Sequence, residues 1–105
     1  MPKGVSKMSH EVVLSSVEIA EASRFSYMHD YEAAFNGLVS VCVGLANRHG
    51  YVGETLKEIP EDEKSEIVYA VLLTVCRYGN GNLLSMVKNP VTFLIKKFDD
   101  FAELC

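Results

Sequence analysis

PEDEKSEIVYAVLLTVCRYG, Pro60–Gly79, decides the fold. Its middle, Ile67–Cys76, is a nearly unbroken apolar run with several β-branched residues. Such a run suits a buried strand as well as a buried helix. Length and start signals choose the helix. Pro60 fits a first helical position, where its missing N–H is not needed. Glu61, Asp62 and Glu63 follow in the first turn, where carboxylates meet the positive end of the helix dipole. Ile67, Val68, Ala70, Val71, Leu72, Leu73, Val75 and Cys76 leave almost no polar face. A helix of that kind is central, or a partner covers it.

Beyond it lies Gly79-Asn80-Gly81. A phosphate-binding loop needs glycines that lead from a strand into a helix, and a third glycine is missing. A helix boundary uses every residue: Gly79 as a left-handed stop, Asn80 in the turn, Asn80 or Asn82 as the next cap. A short helix is expected over 81–88, and Asn89-Pro90 reads as N-cap and first position of another. In this last helix Phe93, Leu94, Lys97, Phe98, Phe101 and Leu104 mark one face, with Asp99, Asp100 and Glu103 opposite.

Upstream, Asp30 is a good N-cap for a helix of about 18 residues, ~27 Å long. Arg48 and His49 close it and Gly50 follows as the stop. Phe35, Leu38, Cys42, Leu45 and His49 form its apolar stripe. A second stripe, Ala33, Gly37, Ser40, Gly44 and Asn47, steps by four and three. Glycine inside a helix costs roughly 0.5–1 kcal/mol relative to alanine. Two on one stripe predict a tight helix crossing, made by another helix of the chain or by a dimer seam at Ala33, Gly37, Ser40 and Gly44. The first helix is expected from a Ser9 cap, with Val13, Val17, Ala20 and Arg24 at helical spacing; a short strand over 11–19 is the alternative, since that run is rich in β-branched residues. A helical turn around 54–58 bridges to Pro60. Residues 1–8 read as a loose tail and 9–105 as one domain. The expected fold is therefore all-α, a compact single-domain bundle of about five helices with two central apolar ones.

The 105 residues are 49% hydrophobic and 23% charged, ordinary globular usage. The net charge of −4 argues against a general nucleic-acid binder. The nearest basic grouping, Arg77, Lys88, Lys96 and Lys97, is sparse. No apolar h-region follows the first lysines, and no apolar stretch approaches the ~20 residues of a membrane span. A cytoplasmic protein with no membrane attachment is expected. The three cysteines are odd in number and widely spaced; Cys42 and Cys76 sit inside apolar runs and read as reduced core thiols, while the terminal Cys105 reads as an exposed thiol.

No zinc spacing occurs among His10, His29, His49 and the cysteines; Cys42 and His49 share a helix face, but two ligands do not make a site. No nucleophile motif is present. Paired carboxylates at Asp99-Asp100 and Glu61–Glu63 read as solvated or dipole-matched. No catalytic residue, metal or cofactor is expected. Five tyrosines remain as interface material, densest around Phe25, Tyr27 and Tyr31.

Charge is concentrated instead. Glu54, Glu58, Glu61, Asp62, Glu63 and Glu66 face only Lys57 and Lys64, so this segment alone carries the whole chain's surplus. An acidic face steers a basic partner into contact. The expected function is a small non-enzymatic protein-binding module: an inhibitor, an immunity- or antitoxin-like factor, or a phage or bacterial accessory regulator. The alternative is a homodimeric helical regulator linked to nucleic acid, with Gly37 and Gly44 in its seam. A pocket between helices, holding a small ligand or substrate, comes third.

Overall fold

The computed structural model describes residues 12–105. The expected tail and the Ser9 cap lie outside the described residues. Four α-helices, α1 (Ser16–Ser26), α2 (Tyr31–Arg48), α3 (Glu61–Tyr78) and α4 (Pro90–Leu104), are joined with two 3₁₀ segments, Gly53–Glu58 and Gly81–Met86. No strand occurs among the described residues, so the bundle is all-α as expected. Among the described residues no helix is long and apolar enough to cross a membrane.

Local chemistry sets most boundaries. Asp30 accepts the Glu32 N–H at 3.0 Å and starts α2. Asn89 accepts the Thr92 N–H at 3.1 Å, and Pro90 takes the first position of α4. Gly50 has φ +98°, the left-handed stop after α2. Pro60 stands one residue further out than expected, as the N-cap of α3.

α1 departs from its expected face. It begins at Ser16, after a Ser15–Glu18 capping box in which each residue accepts the other's backbone N–H, at 3.2 and 2.8 Å. Residues 12–15 are not helical, and Val13 and Val17 point to solvent. The inner face is Glu18, Ala22 and Ser26, with Ile19 and Phe25 beside it. The β-branched valines were misleading because the capping box sets the helix phase, and burial follows that phase.

The two long helices α2 and α3 are central, each packed on the other and on both shorter helices. Phe35, Leu38, Cys42 and Leu45 from α2 meet Ile67, Val68, Val71 and Val75 from α3, all essentially buried. Leu94 and Phe98 of α4 complete the core, with Leu56 and Leu83 from the 3₁₀ segments. Phe93 meets Phe35 edge-on at 5.0 Å between centroids. The α4 stripe ends early: Ala102 is buried, while Phe101 turns outward and Leu104 is 86% exposed.

The glycine stripe of α2 has a partner inside the chain. The Phe25 ring of α1 lies where a Cβ on Gly37 would stand. Gly44 faces the Glu18 carboxylate, and Ser40 stays exposed. The helix that crosses at Gly37 and Gly44 is α1, the partner within the chain. Glu18 also receives the Arg48 guanidinium at 3.0 and 2.8 Å. Burial pushes the Glu18 pKa up, but the Arg48 and Ser15 hydrogen bonds and the Arg48 charge outweigh it and hold the carboxyl below its ordinary value.

Gly79 is not a left-handed stop. Its φ is −124° and its ψ −153°, an extended conformation open to other residues. Glycine is needed there for space: a Cβ would run into the Ser26 hydroxyl and within 3.1 Å of the Ser23 backbone. Asn80 caps the following 3₁₀ segment by accepting the Asn82 N–H at 3.2 Å.

Two predictions follow from this packing. Gly79→Ala is expected to destabilise the fold by about 1–3 kcal/mol through overpacking. Gly81→Ala, whose Cβ meets nothing nearer than 3.9 Å, stays within about 0.5 kcal/mol. Urea midpoints of the two variants check the contrast. Glu18, with its folded pKa lowered, contributes stability that is present above its ordinary value of 4.5 and is lost as pH falls through the folded value. Glu18→Gln should lower neutral-pH stability by about 1–2 kcal/mol, the Arg48 end of the pair being half in solvent, and flatten the acid limb of a melting-temperature profile.

Candidate acidic binding face

The acidic segment folds as two consecutive pieces. Leu56 and Ile59 anchor the first 3₁₀ segment to the core. Thr55 ties its start, accepting the Val52 N–H through Oγ1 at 2.7 Å. Glu54 and Glu58 therefore project outward from a short, pinned turn. After Pro60, α3 presents Glu61, Asp62 and Glu66 to solvent.

Glu63 does not join them. It is buried, and the Tyr51 hydroxyl donates to its Oε1 at 2.9 Å. Burial first, then this hydrogen bond and the neighbouring carboxylates, raise the Tyr51 pKa above its ordinary value. Helical geometry separates Glu63 from its neighbours: Asp62 and Glu66 share one face, four residues apart, and Glu63 sits 100° round on the next.

Lys64 has also turned inward. Its ammonium reaches Asp99 of α4 at 2.7 Å and Glu61 at 3.0 Å. Burial alone would depress the Lys64 pKa; the hydrogen bonds and charges of Asp99 and Glu61 outweigh it and raise it. The outward charge is therefore five acids, Glu54, Glu58, Glu61, Asp62 and Glu66, against Lys57, with Lys64 partly compensating Glu61 from beneath. Exposed carboxylates in this arrangement supply charge, and each is open to a partner's cation.

The basic grouping is partly spent. Lys97 reaches Glu32 at 3.1 Å and Asn36 at 3.2 Å, and Lys96 lies 3.7 Å from Asp100. Cys42 is buried, and burial pushes its thiol far up, away from the reactive thiolate. Cys76 is exposed, contrary to expectation, because it falls on the outer face of α3. Among the described residues no group of three or more His, Cys, Asp and Glu side chains is placed to hold a metal ion. Of the densest aromatic group, Phe25 is spent on Gly37 and Tyr31 packs on Phe93 at 6.4 Å, while Tyr27 is exposed.

The outer face of α3 escaped the sequence argument. Tyr69 is 54% and Leu73 59% exposed, so this helix is covered on one side only. Beside Leu73 runs an open groove of about 350 Å³, bounded by Val12, Val13, Ile19, Ala70, Thr74 and Arg77. The signal was present: Asp62, Glu66, Tyr69, Leu73 and Cys76 step by four and three.

Compared with known protein families, with curated proteins and with solved structures, the chain matches none.

The inner and outer acids should respond oppositely to charge reversal. Glu63→Lys places a second cation beside Lys64 and strands the Tyr51 hydroxyl, and is expected to cost about 2–3 kcal/mol. Glu54→Lys should stay within about 0.5 kcal/mol. Thermal melts of the two variants decide whether Glu63 belongs to the interior.

Proposed function

We propose that the protein acts by binding another protein, without catalysis of its own, through the acidic face built from Glu54, Glu58, Glu61, Asp62 and Glu66. One observation carries this reading. The segment keeps its acidic surplus on the surface even though Glu63 and Lys64 have both left for the interior. Such a face favours a partner with a basic surface, and it raises the rate of encounter more than the final affinity. An inhibitor, an immunity- or antitoxin-like factor or an accessory regulator of phage or bacterial type, working in the cytoplasm, fits this mode of action.

The test uses Glu54→Lys, Glu58→Lys and Asp62→Lys together, leaving Glu61 with Lys64 and Glu63 with Tyr51. A partner captured by the native chain from its producing cells should associate with the triple variant about tenfold more slowly or worse. The residual rate should lose its dependence on salt. Equal association rates for the two chains, with the variant's helical spectrum intact, would remove the acidic face from the function.

A further inference from the structure

We propose that the outer face of α3 is a seam for a second copy of this chain, packed antiparallel to the first about a twofold axis near position 71. Position 71 itself points inward, so the axis passes over the outer face between Tyr69 and Leu73. The proposal goes beyond the acidic face and borrows only Glu66 from it.

The seam has the right spacing. Glu66, Tyr69, Leu73 and Cys76 are all exposed and repeat by three and four, the pattern with which one helix lies along another. Tyr69 and Leu73 form its apolar centre, and Val13 is 65% exposed across the groove beside them. Antiparallel packing sets Tyr69 level with the second copy's Leu73, and the reverse. Each tyrosine ring then packs beside the other copy's Leu73, an amphipathic side chain suited to a half-wet interface.

Charge selects the occupant and its direction. Glu66 and Arg77 flank the apolar centre, and neither has an ion pair among the described residues. A parallel copy would set Glu66 against Glu66 and Arg77 against Arg77. The antiparallel copy sets Glu66 beside Arg77 at both ends, so the face is complementary to itself, as a twofold interface must be. Like charges are then kept apart. At 1.5 Å per residue the two Glu66 positions are separated by ~15 Å along the axis and the two Asp62 positions by ~27 Å. Both exceed the screening length of ~8 Å at physiological salt. Glu54, Glu58 and Asp62 remain outward on both copies.

The mass of the full chain is measured by sedimentation equilibrium from micromolar to millimolar concentration, with circular dichroism as the folding control. The native chain is expected to dimerise, and Leu73→Asp to be a folded monomer. Glu66→Arg alone and Arg77→Glu alone should each raise the dimer Kd about tenfold, since each turns two symmetric attractions into repulsions. The double variant Glu66→Arg with Arg77→Glu should restore the native Kd. A native chain monomeric throughout overturns the proposal. So does a dimer that survives Leu73→Asp, or one that the charge exchange fails to rescue. A dimer seen only after removal of residues 2–11 would place the chain's own leading segment on this face, and overturns it equally.

Discussion

One turn of α1 holds both long helices. Phe25 fills the space left by Gly37 on α2, and the next residue, Ser26, fills the space left by Gly79 at the end of α3. Ser26 is fully buried, and its hydroxyl is satisfied twice: it donates to the Ser23 carbonyl at 2.6 Å and accepts the Asn80 N–H at 2.8 Å. Ser23 then donates to the Tyr78 carbonyl at 2.9 Å, so the last carbonyls of α3 find a partner on α1. Small residues at 37 and 79 are what allow this approach. At the other end of α1 the Glu18–Arg48 pair ties it to the end of α2. Ser23 and Ser26 hold the end of α3 against α1, and the burial of Ile67, Val68, Val71 and Val75 sets the choice of which α3 residues face water.

That choice explains what was and was not legible in the sequence. Caps are local chemistry, and Asp30, Gly50 and Asn89-Pro90 could be read because each acts on its near neighbours. The Ser15–Glu18 box was equally local, but the valines around it gave a louder and misleading signal. Gly79 was read for its backbone freedom, whereas its role is set by Ser26, 53 positions away in the chain. Periodicity placed Phe101 and Leu104 on the face of Phe98, yet it does not say where the neighbouring helices stop covering that face.

The acidic segment shows the same division. Glu63 and Lys64 could not be told from their neighbours by composition, because Tyr51 and Asp99 reach them only in the folded chain. Buried charges persist when paired or hydrogen-bonded, and both of these are. What remains outside is Glu61 on Lys64, Asp62, whose Oδ1 accepts the Glu63 N–H at 2.9 Å, and Glu54, Glu58 and Glu66, which have no ion pair among the described residues.

The helix dipole accounts for part of that set. Carboxylates in a first turn are favoured by about 0.3–1 kcal/mol each, so Glu61 and Asp62 are explained by the start of α3 alone. Glu54 and Glu58 precede the helix, on a 3₁₀ segment whose own anchoring comes from Leu56 and Ile59. Glu66 lies in the second turn, beyond the short reach of the dipole. Single exposed apolar residues need no special explanation, but Tyr69 and Leu73 stand together, with Val13 across the groove and, at either end, Glu66 and Arg77, which have no ion pair among the described residues. Stability accounts for the first-turn acids. It does not account for Glu54, Glu58 and Glu66 or for the apolar centre of the α3 face, which belong to the surface and not to the core.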